Sequence, residues 1–224
     1  MINKELQKRI LSSIILIPVS FFFIIQGSLT FLFFLSLIFL ATSLEWFKMT
    51  KNKDLLRIFG LFFLFFSFFS TIYLRQYMGL NFFLVLIIIC IFTDIGGYIF
   101  GKIFRGPKLT KVSPKKTYSG VVGSFLISLL FSLIFIKYFG QKSRILLEKD
   151  PIFIILLILF ISLVSQIGDL IISYFKRKAK LKDTGKILPG HGGFLDRIDG
   201  IIFVMPITYL CVLPILIYKL NLIK

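Results

Sequence analysis

The chain has 224 residues, of which 57% are hydrophobic and 17% charged, and its formal net charge is +17. Soluble domains carry about 45–50% apolar and about 25% charged residues, and 29 phenylalanines are far too many for one globular core. That balance excludes an ordinary soluble domain. The apolar runs do not alternate, which excludes a transmembrane β-barrel, and the basic excess is read first as membrane topology and attraction to anionic headgroups. No zinc finger, basic helix or aromatic RNA-binding strand is present, so nucleic acid is not an expected partner.

Apolar runs of about twenty residues recur, each long enough to cross a hydrocarbon core as a helix. Lys4, Lys8 and Arg9 precede the first run. No small-residue cleavage site follows it and a second run comes almost at once, so it is read as a membrane helix rather than a signal peptide. The expected spans are residues 10–26, 29–47, 56–75, 79–100, 119–138, 151–174 and 200–219. The connections between the first and second spans, and between the third and fourth, are very short. No linker or internal repeat divides the chain, which predicts one all-α membrane domain over residues 1–224, a polytopic bundle of seven spans. Cys90 and Cys211 both lie inside apolar runs and are expected to be small buried hydrophobes.

Charge checks the count. With the N-terminus in the cytoplasm, the cytoplasmic tail and loops hold 20 of the 27 basic residues, six of them between residues 102 and 116 and seven between 176 and 197. This is the positive-inside pattern. Two or three lysines per loop suffice for orientation, so the loops at about 101–118 and 175–199 carry more than topology requires. The chemistry is expected there, on the cytoplasmic face.

Of the ten acids, Glu5, Asp54, Glu148 and Asp150 fall in tails or loops and are read as solvated. Glu45 and Asp94 sit near the cytoplasmic ends of the second and fourth spans, and Asp169 lies within the sixth. An ionisable group at membrane depth costs at least about 2.5–3.5 kcal/mol and persists when paired, hydrated or functional. Asp169 is therefore a functional candidate, with a nearby lysine partner as the alternative. Asp196 and Asp199 are spaced to share one helix face and would repel unless a cation sits between them. Oxygen-only ligands of this type suit Mg²⁺, and Asp169, Asp196 and Asp199 together suit a two-metal site for phosphoryl-type transfer. Simple helix capping is the alternative for Asp196.

Around these acids runs KRKAKLKD and then KILPGHGGFLDRID, where Gly190, Gly192 and Gly193 flank His191, the one histidine. Glycines let backbone amides approach a phosphate. With Lys, Arg and paired Asp the segment describes a site for a polyphosphate and a metal. DIGGYIFGKIFRGPKLTKVSPKKTYSG repeats the recipe, with Asp94, Gly96 and Gly97 before Ser113, Lys115, Lys116 and Thr117. No Walker motif is present.

The segment Ser173–Asp199, SYFKRKAKLKDTGKILPGHGGFLDRID, resembles the signature of the phosphatidate cytidylyltransferase (CDP-diacylglycerol synthase) family. The matched positions are Ser173, Lys176, Arg177, Lys182, Asp183, His191, Gly192, Gly193, Asp196, Arg197 and Asp199. QIGDL, DIGGYIFGK and SPKKTYSG resemble further family segments, so the likeness covers the C-terminal 130 residues or so. The family usually has Trp and Glu where this chain has Tyr118 and Ser119, and its members are usually longer at the N-terminus. The resemblance implies Mg²⁺-dependent joining of phosphatidate and CTP to give CDP-diacylglycerol and pyrophosphate. It places metal at Asp169, Asp196 and Asp199, with Lys176 and His191 also catalytic. Phosphate and substrate contacts are expected from Ser173, Arg177, Lys182, Asp183, Gly192, Gly193, Arg197, Lys115, Lys116 and Asp94. It also implies a homodimer in the inner membrane. A CTP-dependent polyprenol kinase and an anion transporter are the competing readings. The paired broken helices of inverted-repeat transporters are missing.

Overall fold

The structure is a computed structural model, and it describes residues 4–51, 53–110, 112–140, 150–190 and 192–221. Eight helices are described: α1 Lys4–Gln26, α2 Ser28–Met49, α3 Asp54–Tyr77, α4 Leu80–Ile103, α5 Tyr118–Phe139, α6 Pro151–Lys178, α7 Leu195–Ile198 and α8 Ile201–Asn221. The described residues form no strand beyond two isolated bridges, Lys108 to Thr117 and Leu188 to Gly192. Helices α2 to α6 are long and apolar enough to cross a membrane, while α1 and α8 hold shorter apolar stretches, Leu11–Gln26 and Ile201–Pro214. Large apolar side chains are exposed all along them, among them Phe33, Phe62, Leu130 and Leu156. A surface this apolar is not one that water covers. The chain is an all-α polytopic membrane protein.

The short connections are as tight as expected. Gly27 alone joins α1 to α2 with φ 64°, a conformation that favours glycine. Met78 and Gly79 join α3 to α4. Helix α6 runs through Lys176, Arg177 and Lys178, past the expected end at residue 174, because basic side chains suit a helix C-terminus. Its end is a Schellman turn: Lys180 has φ 58°, its amide donates to Arg177 O (3.0 Å), and the Leu181 amide donates to Lys176 O (2.9 Å).

The chain packs as two compact units, one of residues up to Phe68 with Ile171–Asp199, the other Phe69–Leu170 with residues from Gly200 onward. In the first unit the Trp46 ring meets Phe175 edge-on (5.3 Å), its Nε1 donates to Arg57 O (3.3 Å), and a β-carbon on Gly60 would collide with it. In the second unit α4 and α5 approach closely along Gly96, Gly97 and Gly101 on one side and Gly120, Gly123 and Ser124 on the other. A β-carbon on Gly120 would lie 2.8 Å from Gly97 O, and one on Gly97 would lie 2.8 Å from Ser124 Oγ. This is the small-residue contact by which membrane helices associate. Buried hydroxyls join in: Ser124 Oγ donates to Thr93 O (2.7 Å), and Thr93 Oγ1 to Ser162 Oγ (2.8 Å). Cys90 is buried as expected, but Cys211 is exposed on α8. A thiol on a surface this apolar needs no burial to be away from water.

Candidate functional site

The first unit carries the signature segment, organised around two carboxylates. Asp196 stands in the single turn α7 with its side chain 7% exposed. Its Oδ1 accepts from Lys176 Nζ at 2.7 Å. Its Oδ2 accepts from the Thr184 amide (2.8 Å), the Gly193 amide (3.0 Å) and Thr184 Oγ1 (3.0 Å). Burial pushes this carboxyl up. The Lys176 hydrogen bond, the Gly193 amide, the Lys176 charge and the Thr184 amide outweigh it and hold Asp196 below the usual carboxylate range. No side chain caps the α7 turn at Phe194; Asp196 instead closes the loop from Thr184 onto α6 through Lys176, Thr184 and Gly193. Asp199 follows with helical φ and ψ (−55°, −38°), so the two acids keep the expected i, i+3 spacing.

The second carboxylate is Glu45 of α2, fully buried. It accepts from Thr184 Oγ1 (2.8 Å), the Phe194 amide (3.0 Å) and the Leu195 amide (2.9 Å). The sequence places Glu45 only near the end of a span. The available signal was its charge in an apolar run, the same signal that singled out Asp169. Glycine is also required here by packing. A β-carbon on Gly193 would collide with Thr184 Oγ1 and Glu45, and one on Gly185 would stand 2.6 Å from Glu45 Oε1. Gly192, at φ 88°, would bring a β-carbon 2.9 Å from Asp196 Oδ2.

The other signature residues fall around this core. Ser173 is buried on α6. Arg177 is exposed and donates to Leu181 O (3.2 Å), helping the helix end. Lys182, Asp183 and Arg197 are exposed, which leaves two of the cations and a carboxylate facing outward. His191 lies outside the described residues.

The second unit holds a cleft of about 300 Å³ lined by Asp94, Gly97, Ser113, Lys115, Lys116, Thr117, Gln166 and Asp169 among others. Lys116 Nζ lies 2.5 Å from Asp169 Oδ2 and donates to Gln166 O (3.4 Å). The lysine-pair reading of Asp169 is what the geometry shows, and the pair lines the cleft. Pro114 occupies the second position of a turn closed by the Lys116 amide on Ser113 O (3.0 Å), as proline favours. The turn sets Lys115 and Lys116 at the cleft. Thr117 caps α5 by accepting from the Gly120 amide (3.2 Å). Ser119, which stands in place of the family's usual acid, donates to Arg105 O and bonds Thr117 Oγ1 (3.0 Å). It ties the loop down at Arg105, whose φ is 52°. Of the glycines read as phosphate-approach residues, Gly96 is buried against Gly123 and serves helix packing, while Gly97 also lines the cleft.

Asp169 belongs to the second unit, and Asp196 and Asp199 to the first. Within either unit, no three His, Cys, Asp or Glu side chains among the described residues form a ready ligand cluster. The donor chemistry nonetheless fits a hard cation, because the candidates are all carboxylates. Asp196 Oδ1 accepts the Lys176 bond and keeps a second lone pair.

The Cytidylyltransferase family profile matches residues 53–214. The phosphatidate cytidylyltransferase of Rickettsia felis is 36% identical over 212 residues, covering 92% of each chain. That of Rickettsia bellii is 39% identical over 214 residues, covering 92% of this chain and 90% of the relative. That of Staphylococcus epidermidis is 41% identical over 130 residues, 58% of this chain and 48% of the relative. The likeness therefore reaches beyond the C-terminal 130 residues, and beside the Rickettsia proteins the chain is not short. With the signature from Ser173 to Asp199 inside the matched region, the chain belongs to the cytidylyltransferase family.

Proposed function

We propose that this enzyme transfers the cytidylyl group of CTP to phosphatidate, giving CDP-diacylglycerol and pyrophosphate. The observation that carries the reading is the basic cleft with its Lys116–Asp169 pair, in a chain whose relatives are named for this transfer. A phosphate oxygen of phosphatidate attacks the α-phosphorus of CTP. The bond from that phosphorus to the bridging oxygen of the β-phosphate breaks, and pyrophosphate leaves with the electron pair. One phosphoanhydride is made for one broken, so the chemistry asks for little beyond bringing two anions together and holding them in line.

The residues suit that demand. Lys115 and Lys116 at the cleft supply fixed positive charge to phosphate oxygens. Lys116 can exchange Asp169 for a phosphate, since both side chains keep about a quarter of their surface exposed at the cleft. Arg177, Lys182 and Arg197 are the outward cations that meet the arriving nucleotide, and we assign His191 to pyrophosphate. Lys176 holds Asp196 ionised, and Asp196 holds the loop from Thr184 to Gly193. The ion of this reading is Mg²⁺, taken by oxygen donors among Asp169, Asp196 and Asp199. When bound it supplies positive charge to the phosphate oxygens.

We place the enzyme as a multi-pass homodimer in the inner membrane, with seven spans and with its N-terminus and basic loops in the cytoplasm. The asymmetry of 20 basic residues against 7 supports that orientation. Acyl chains then reach the site from the bilayer while CTP arrives from water. Purified protein given phosphatidate and α-labelled CTP is expected to yield labelled CDP-diacylglycerol. Lipid labelled from the γ-phosphate instead would establish a kinase.

A further inference from the structure

The buried carboxylate of Glu45 has no part in the chemistry above, and its surroundings are those of a built site. It is 0% exposed. A carboxylate so placed is strongly unfavourable unless donors surround it. Three donors do, and all come from the signature loop: the Thr184 hydroxyl and the Phe194 and Leu195 amides. The two amides open the turn α7, where amides lack intrahelical partners. Gly185 and Gly193 have no β-carbon at the positions Glu45 fills.

The link to Asp196 is direct. Thr184 Oγ1 lies 2.8 Å from Glu45 Oε2 and 3.0 Å from Asp196 Oδ2. A hydroxyl has one proton, so the two carboxylates share it. The Gly193 amide donates to Asp196, and the next two amides donate to Glu45. Three successive residues of the loop are therefore held by two acids. Glu45 lies in α2, before the family-matched residues 53–214.

We propose that Glu45 is a positioning residue for the transfer reaction: it anchors the loop from Thr184 to Leu195 and so fixes Asp196 in its working orientation. This rests on the cytidylyl-transfer reading for its kinetic arm but not for its structural one. Glu45 touches no substrate in this scheme. Its loss misplaces a group needed in the transition state, which lowers kcat while substrate binding persists.

The experiment uses the full chain in detergent with Glu45→Gln, Thr184→Val and Thr184→Ser. Glu45→Gln keeps shape but puts an NH₂ where N–H donors point. Thr184→Val keeps shape without the hydroxyl, and Thr184→Ser restores the hydroxyl. Expected are a kcat at least tenfold lower for Glu45→Gln and Thr184→Val, KM for CTP and phosphatidate within twofold, and at least a third of wild-type kcat for Thr184→Ser. Deuterium uptake at residues 184–195 rises in Glu45→Gln, with uptake across α4 and α5 unchanged. Wild-type kcat together with wild-type protection in Glu45→Gln overturns the proposal. So does raised uptake throughout the chain with a lowered melting temperature, which marks a general packing role. A wild type that makes no CDP-diacylglycerol counts against the transfer reading, and the exchange measurement still decides whether Glu45 anchors the loop.

Discussion

Replacing Lys176 by methionine is the perturbation whose outcome the geometry specifies most fully. The pair it breaks is nearly dry, at 12% and 7% side-chain exposure, and short at 2.7 Å. Removing one member of a buried ion pair costs about 3–5 kcal/mol, because the other charge is left uncompensated. Asp196 retains the Thr184 amide and hydroxyl and the Gly193 amide, so the lower end, about 3 kcal/mol, is expected. In a chain of this size that is a fall in melting temperature of about 6–12 °C. Asp196→Asn alone strands the Lys176 ammonium and is also destabilising. The double variant removes both charges and should sit within about 1 kcal/mol of wild type, although it remains inactive. The assay is thermal unfolding of the four proteins in one detergent, with cytidylyl transfer measured alongside. The coupling energy should be about 2 kcal/mol or more. Single-variant losses that simply add, within about 0.5 kcal/mol, would refute the claim that this pair is a desolvated structural unit.

Gly193→Ala forces a β-carbon into Thr184 and Glu45. Overpacking of this kind costs about 1–3 kcal/mol, whereas Gly140→Ala, whose β-carbon meets the Ile136 side chain at 3.0 Å among the described residues, should be near neutral by the same melting assay. Lys116→Met should raise KM for an anionic substrate at least tenfold while α4 and α5 stay folded by circular dichroism, since it removes a cleft cation and leaves the glycine packing intact. The pH response follows from Asp196. Its folded pKa is depressed, so its stabilisation is complete above the ordinary carboxylate value of about 3.9 and is lost as pH falls through the lower folded value. Deuterium protection of the Thr184 and Gly193 amides, corrected for intrinsic rate, should be flat from about pH 8 to about pH 5 and fall only below about pH 4.

The helices were legible because a bilayer leaves the backbone no alternative and because runs of about twenty apolar residues have one reading. The ends were less so. Helix α6 passes residue 174 into Lys176–Lys178, where the backbone stays helical after the apolar pattern stops. The seventh span, drawn from residue 200, is preceded by a separate turn at Leu195–Ile198. Asp169 and Asp196 were legible as charges out of place. Glu45 was equally out of place, and its role was hidden because its partners are backbone amides 149 and 150 residues away. Amides leave no trace in sequence. The glycines are ambiguous for the same reason: Gly96 and Gly193 are packed against a neighbouring helix and a carboxylate, and one sequence does not distinguish these from a phosphate.

The most direct test of the central claim is transfer of α-label from CTP to phosphatidate by the purified chain, beside an Asp196→Asn variant confirmed to be folded. The account predicts labelled CDP-diacylglycerol from the wild type, pyrophosphate in equal amount, and loss of both in the variant. Label reaching lipid only from the γ-phosphate, or a variant as active as wild type, would contradict it.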